Sequence, residues 1–100
     1  MKTYILVKES VPVGLAINSA YHASLKMWFR FHASLESEKW ILGRFDNVTC
    51  KVSDEEFERA KEFEDYSIVT ESALDDKEVI LAFAPREEWP KFFKFLKLYK

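Results

Sequence analysis

The sequence predicts an α/β fold, a single three-layer α/β/α domain built on a small four-stranded mixed sheet. Residues 4–7 (YILV) and 79–84 (VILAFA) are continuous apolar runs, which are typical of strands buried on both faces between layers of helices. Segments with helical periodicity separate the strands. One hundred residues are enough for one hydrophobic core, so residues 1–100 are expected to form one domain.

The first helix is predicted from about Gly14 to about His32. Small and apolar residues recur there at three- and four-residue spacing, so they form one stripe that can lie close to a sheet. This stripe consists of Ala16, Ala20, Ala23, Met27 and Phe31. The opposite side carries polar residues, namely Asn18, Ser19, His22 and Lys26. Leu15, Leu25 and Phe29 interrupt that polar side.

The middle of the chain predicts a half-exposed strand followed by a capped helix. A short helical turn is expected around Trp40, and at residues 48–52 apolar and polar residues alternate with the period of a strand. Ser53 and Glu56 have the spacing of a capping box, in which each side chain satisfies a free backbone N–H of the first turn. A short amphipathic helix is therefore expected to begin there and to end near Asp65.

The last third of the chain predicts an edge strand and a basic helix. Residues 66–70 (YSIVT) form a weaker strand, and a helix follows Pro85, with Pro90 in its first turn. Lysines recur beside aromatic residues on this helix, at Lys91, Lys94, Lys97 and Lys100. Such a face can contact phosphates and stack on bases, or lie on an anionic membrane. The plainer interpretation is that the aromatic rings pack on the sheet and the lysines stay in water.

The net charge of −2 conceals a segregation of charge along the chain. Residues 53–78 carry a net charge of −8, whereas residues 1–52 and 79–100 each carry +3. The overall charge gives no indication of nucleic-acid binding, although a local basic surface is compatible with it. No signal peptide and no apolar run of about 18 residues is recognisable, so a cytoplasmic protein without a membrane span is expected.

Cys50 is the single cysteine, and it cannot form an internal disulfide. No Cys/His spacing resembles a zinc site, and His22 and His32 point in different directions on the helix, so neither a metal nor a cofactor is expected. A histidine could activate Cys50 as a nucleophile. Its place between Val48 and Val52 on the apolar side of a strand favours an ordinary buried thiol.

His22 is the leading catalytic candidate, because an imidazole can accept or donate a proton near neutral pH. Asn18 and Lys26 lie one turn to either side and share its face, so they are predicted to bind substrate. Glu71 ends the third strand, where a carboxylate can orient a histidine or a water. The plainer interpretations are a hydrogen-bonded histidine at a helix–sheet boundary and a solvated acid in a turn.

Several motifs follow one another in a specific order. Gly14 is followed eight residues later by His22 and then by Ala23, and Trp40 precedes Gly43. The strand at 48–52 runs into Lys-Val-Ser before an acidic helix, the last apolar strand closes on a proline, and the chain then contains Leu-Lys-Leu. Together these features resemble the class II (archaeal and eukaryotic type) peptidyl-tRNA hydrolase family over nearly the whole chain.

The resemblance implies a cytoplasmic enzyme without a metal, which cleaves the ester between a peptide and tRNA and often works as a homodimer. Its partner would be tRNA or peptidyl-tRNA. His22 and Glu71 would be catalytic, with Glu71 standing in for an aspartate of the family. The sequence departs from the family at two lysines, where it has Val13 and Leu15. It also has Ser19 in place of a glutamine, so Ser19 joins the predicted substrate-binding residues.

Three functions remain open from the sequence. The first is a diverged peptidyl-tRNA hydrolase in which His22 transfers the proton. The second is a non-catalytic module on the same fold that binds RNA or a protein through its C-terminal helix, and the absence of the family's lysines favours it. The third is a small hydrolase of a different ester or amide. The histidine on a polar helix face favours the first and the third.

Overall fold

The computed structural model describes residues 1–100, and its strands and helices follow in the predicted order. The strands are β1 (Lys2–Lys8), β2 (Asp46–Val52), β3 (Tyr66–Glu71) and β4 (Lys77–Arg86). The helices are α1 (Val13–Phe31), α2 (Leu35–Leu42), α3 (Asp54–Ala60) and α4 (Lys91–Lys94), and a 3-10 turn at Ser72–Leu74 joins β3 to β4. The prediction of a single α/β domain with a four-stranded mixed sheet is confirmed.

The four strands form one sheet in the order β2-β1-β4-β3. β1 and β2 are parallel, because α1 and α2 carry the chain back across the sheet between them. β4 is antiparallel to both β1 and β3. The two apolar runs therefore occupy the centre of the sheet, and residues 66–70 lie at an edge, as predicted.

Helices cover both faces of the sheet and build one core cluster on each. On one face, Leu6 of β1 packs in a cluster with Phe57 of α3 and Phe93 of α4. On the other face, α1 and α2 contribute Ala23 and Trp40. Burying each large apolar side chain contributes about 1.5–3 kcal/mol, so the two clusters fix the helices on the sheet.

The buried side of α1 differs from the prediction at one residue. Ala16, Ala23 and Met27 are buried against the sheet, as their spacing predicts. Ser19 was expected on the polar side, but it is buried as well, with 2% of its surface exposed. At 3.6 residues per turn, Ser19 lies only about 40–60° around the helix from Ala16 and Ala23, so it shares their face.

α3 begins as predicted and ends earlier than predicted. The capping box is present, since Ser53 accepts from the Glu56 N–H and the Glu56 carboxylate accepts from the Ser53 N–H. The helix ends at Ala60, and residues 61–65 form a turn. Asp65 adopts a left-handed backbone with φ of 63°, which turns the chain into β3 and excludes a longer helix.

α4 is a single turn, so the four C-terminal lysines do not share one helix face as predicted. After Phe95 the backbone leaves the helix and runs antiparallel to the outer edge of β2. The Lys51 N–H donates to the Lys97 carbonyl, and the Tyr99 N–H donates to the Thr49 carbonyl. These hydrogen bonds satisfy backbone groups at the edge of β2 that would otherwise be free to pair with another chain. They take the place of the hydrogen bonds that a longer α4 would make.

None of the helices combines the length and the apolar character that crossing a bilayer requires.

Candidate functional site

Two residues predicted from separate parts of the sequence meet at the end of β3. The Ser19 hydroxyl on α1 donates to the Glu71 carboxylate, with 3.4 Å between Oγ and Oε2. Ser19 is buried and Glu71 is half-buried. The way α1 packs against the end of β3 therefore brings Ser19, a predicted substrate-binding residue, into contact with Glu71, a predicted catalytic residue.

The chain around Glu71 holds this carboxylate in place. Glu71 is the last residue of β3, and its other oxygen accepts from the Ala73 N–H, 3.3 Å away, which caps the 3-10 turn. The return into β4 passes through Asp75 and Asp76, both with left-handed backbones (φ of 55° and 57°). Short polar side chains tolerate that conformation, so the turn fixes where β3 stops and where the carboxylate lies.

His22 lies on the same flank of α1 as Ser19, about 60° around the helix and one turn further along. Its side chain is exposed, and so is that of Asn18. The partners of the Glu71 carboxylate are Ser19 and the Ala73 N–H, and His22 is not among them. The structure thus joins Ser19 to Glu71 directly and leaves the imidazole free to meet a substrate or a water.

Lys26 has a structural contact that the sequence did not indicate. Its ammonium donates to the Ile68 carbonyl, with 2.8 Å between Nζ and O, and Arg30 one turn later donates to the Tyr66 carbonyl, also at 2.8 Å. Both carbonyls face outward from the β3 edge. An ammonium has three N–H donors, so Lys26 keeps two for a substrate after this bond.

Apolar side chains stand where the resemblance places lysines. Leu15 is partly buried against the cluster between α1 and the sheet, and Leu74 beyond Glu71 packs on the same cluster. Val13 is exposed in the first turn of α1. Leu15 and Leu74 therefore place apolar side chains near Ser19 and Glu71, and positions 13 and 15 contribute no positive charge there.

Cys50 is a structural residue. It is buried between β1, α3 and the C-terminal segment, with 1% of its surface exposed. Burial, together with the nearby Glu56 carboxylate, raises the pKa of its thiol to about 11. The thiol stays protonated at neutral pH and is a poor nucleophile, as its position in the strand predicts.

The larger cavities lie away from the predicted site. Cavities of about 590, 500 and 360 Å³ are lined mainly by residues of α2, of the end of α1 and of the segments at 61–66 and 84–90. His32 is exposed and its Nδ1 contacts the Phe29 carbonyl. No three His, Cys, Asp or Glu side chains lie close enough together to hold one metal ion.

A basic cavity of about 270 Å³ lies beside the β2 edge. Its walls are Lys51, Lys97, Leu98 and Lys100. The Lys51 ammonium lies over the Tyr99 ring, 4.7 Å from its centre, and donates to the Lys100 carbonyl. Strand pairing of the C-terminal segment, not a helix face, gathers these lysines.

The sequence reasoning missed an exposed apolar row along α1. Large apolar residues recur there every four positions, at Val13, Ile17, Tyr21, Leu25 and Phe29. Of these residues the sequence pattern identified only Leu25 and Phe29, as interruptions of a polar side. Counting apolar residues at i and i+4 on both sides of the helix would have revealed the row, which is hereafter called the α1 stripe.

A scan against models of protein families finds no match, and a search of curated proteins finds no significant similarity.

Proposed function

We propose that this chain is a diverged hydrolase of the peptidyl-tRNA hydrolase type, which cleaves the ester between a peptide and tRNA. The observation that carries the proposal is the contact between Ser19 and Glu71. It joins a position on α1 with the end of β3, and His22 follows Ser19 by three residues, about 60° around the helix.

In the proposed reaction a water attacks the ester carbonyl while His22 takes a proton from it. The bond between the acyl carbon and the ribose oxygen then breaks, and His22 returns the proton to that oxygen, which leaves as the ribose hydroxyl. Glu71 stays in place because Ser19 and the Ala73 N–H hold it, and it orients the water. Asn18 supplies an amide N–H to the carbonyl, and Lys26 supplies an N–H to a phosphate.

The test is release of labelled peptide from peptidyl-tRNA by the wild type, by His22→Ala and by His32→Ala. Both histidines are exposed on or beside α1, so the second variant is a matched control. We expect His22→Ala to lose roughly 10²–10⁴-fold in kcat/KM, the usual contribution of a general base. His32→Ala should retain wild-type turnover. Equal losses in both variants, or no turnover by the wild type, would contradict the proposal.

A second candidate function is a non-catalytic RNA-binding module, and the basic cavity at the β2 edge favours it. Three lysines line that cavity, and the aromatic ring of Tyr99 lies beside them. Lysines beside an aromatic ring are the groups that contact the phosphates and bases of a single-stranded nucleic acid, and here the ring is partly buried. Val13 and Leu15 agree with this alternative, because they remove two cations from the predicted catalytic flank.

The alternative is distinguished by the salt dependence of tRNA binding. Lys97→Glu should weaken binding and reduce the slope of log K against log salt concentration, since one phosphate contact is lost. Lys91→Glu makes the same charge change outside the cavity and should have a smaller effect. Binding that is lost in Lys97→Glu, in a protein without turnover, would replace the hydrolase proposal with this one.

A further inference from the structure

A small apolar cavity lies between the first turns of α1 and the β2 edge, and nothing in the proposed reaction uses it. Its volume is about 100 Å³. Its walls are Val7, Ala16, Ile17, Ala20, Thr49 and Tyr99, of which five are apolar. The cavity opens to the surface, because Ile17 is exposed and both Thr49 and Tyr99 are only partly buried.

Small residues and the C-terminal segment create this cavity. Ala16 and Ala20 lie one turn apart on the side of α1 that faces the sheet, and their methyl groups leave space that larger side chains would fill. The Tyr99 N–H donates to the Thr49 carbonyl, 2.9 Å away, and this pairing makes Tyr99 a wall of the cavity. The walls therefore belong to ordered elements, namely a helix, two strands and a segment paired with β2.

Lys51 brings a positive charge to the edge of this cavity. It pairs with Val7 of β1 in the sheet register. It also follows Thr49 by two residues, which places both side chains on the same face of β2. The Lys51 ammonium lies over the Tyr99 ring, 4.7 Å from its centre. Lys51 is therefore a neighbour of three of the residues that form the walls.

The charge of Lys51 is not neutralised by an acidic side chain. The ion pairs of the chain use Lys8, Arg44 and Lys61 as their cations. Lys51 donates one hydrogen bond, to the Lys100 carbonyl 2.9 Å away, which leaves two N–H groups of its ammonium free. Lys51 is partly buried, and an ammonium with free donors in such a position favours the binding of an anion.

We propose that this cavity binds a small organic carboxylate, with its apolar group between Ile17 and Tyr99 and its carboxylate on the Lys51 ammonium. Ligand pockets typically combine mostly apolar walls with a few polar groups that fix orientation. A closed apolar cavity of about 150 Å³ holds a benzene molecule. This cavity of about 100 Å³, open to the surface, has room for a branched alkyl group or most of a phenyl ring. The carboxylate lies roughly one or two carbon atoms from that group, within hydrogen-bonding reach of the ammonium.

The cavity is separate from the contact between Ser19 and Glu71. At 3.6 residues per turn, Ile17 is about 160° around α1 from Ser19 and about 140° from His22. Thr49 and Glu71 belong to β2 and β3, which are the two edge strands of the sheet. Three strand spacings of about 4.8 Å place these edges roughly 14 Å apart. The proposal therefore concerns a second site, beyond the cleavage of peptidyl-tRNA.

The first test is a titration of the isotope-labelled protein with phenylacetate, followed by the NMR shifts of the backbone amides. The shifts should be largest at Ile17, Ala20 and Thr49 and small at Glu71. Phenylacetamide has the same ring without the charge, and it should bind about tenfold or more weakly because a charge-assisted hydrogen bond is lost. Acetate has the charge without the ring, and it should cause no such shifts at the same concentration.

The second test changes the cavity and the charge separately. Ala20→Leu should fill the cavity and abolish binding, whereas Ala33→Leu makes the same change at an exposed position outside it and should not. Lys51→Gln should weaken binding about tenfold, and Lys91→Gln should leave it unchanged.

Circular dichroism shows which of these variants are folded, and if Ala20→Leu is not, the comparison of Lys51→Gln with Lys91→Gln decides. Phenylacetate binding that survives Ala20→Leu in a folded protein, or that Lys51→Gln does not weaken, would overturn the proposal. Equal binding of phenylacetate and phenylacetamide, or no binding by the wild type at millimolar concentration, would overturn it as well. Failure of the hydrolysis assay would leave it unaffected.

Discussion

Gly43, just after α2, is required by packing. A Cβ built at this position would lie 2.7 Å from the Lys39 carbonyl oxygen, which belongs to the rigid backbone of the helix. Gly14 in the first turn of α1 has nothing within 4 Å of the same virtual atom. The two glycines of the chain therefore have opposite roles, although the sequence gives no sign of the difference.

Replacing each glycine with alanine should shift the free energy of unfolding in opposite directions. Gly43→Ala should lower it by about 1–3 kcal/mol, the usual cost of overpacking against fixed atoms. Gly14→Ala should raise it by about 0.5–1 kcal/mol, because alanine has the higher helix propensity. Urea unfolding followed by circular dichroism measures both values. A Gly43→Ala protein as stable as the wild type would contradict the packing described here.

We expect the titration of the Cys50 thiol to lower the free energy of unfolding in alkaline solution. The pKa of its thiol is 9.0 when unperturbed and about 11 in the fold, so the unfolded chain loses this proton first as the pH rises. Below pH 9 the contribution is constant, and between pH 9 and 11 the free energy of unfolding should drop by about 2 kcal/mol.

The control for this decline is Cys50→Ala, which has no thiol to titrate. Its stability should be lower overall because of the small void, but nearly flat from pH 9 to about 10. Lys61 also has a raised pKa, caused first by its hydrogen bond to Glu78 and then by Glu58, and its contribution is lost only above 10.5 in both proteins. Equal slopes in wild type and variant would show that the thiol is not the cause.

At the scale of single elements, hydrophobic periodicity predicted the strands and α1, and side-chain capping predicted the start of α3. The ends of α3 and α4 could not be predicted, because tertiary contacts decide them. Residues 97–99 pair with β2 instead of continuing a helix, and that pairing depends on a strand some 50 positions away in the sequence. Local propensity contains no information about such a partner.

The β3 edge is closed by two side chains of α1, and removing them should expose it. In Lys26→Met/Arg30→Met the carbonyls of Ile68 and Tyr66 lose their donors. Both side chains are exposed, so we expect a loss of only about 1 kcal/mol in stability, together with increased aggregation through the open edge.

Light scattering during mild heating measures this aggregation. Lys91→Met is the control, because it removes an exposed cation that has no contact with the sheet edge. A double variant that aggregates no more than the control would show that the two contacts do not protect the edge.

At the scale of the whole molecule, the sheet order places β3 beside α1 and so brings two of the predicted site residues together. The sequence predicts Ser19 and Glu71 as site residues separately. Only the fold, with its strand order β2-β1-β4-β3, shows that the two side chains are in contact. The α1 stripe was not predicted, because Leu25 and Phe29 interrupt the polar side and only the packing shows that the whole row stays exposed.

The central claim is that His22 and the Glu71 carboxylate act in one reaction, and a double-mutant cycle tests it most directly. The value of kcat/KM for peptidyl-tRNA would be measured for wild type, Glu71→Gln, His22→Ala and the double variant. We expect Glu71→Gln alone to lose at least about tenfold, and to cause little further loss when His22 is already alanine, because residues acting as a unit are not additive. Wild-type turnover in Glu71→Gln, or losses that simply multiply, would contradict the claim.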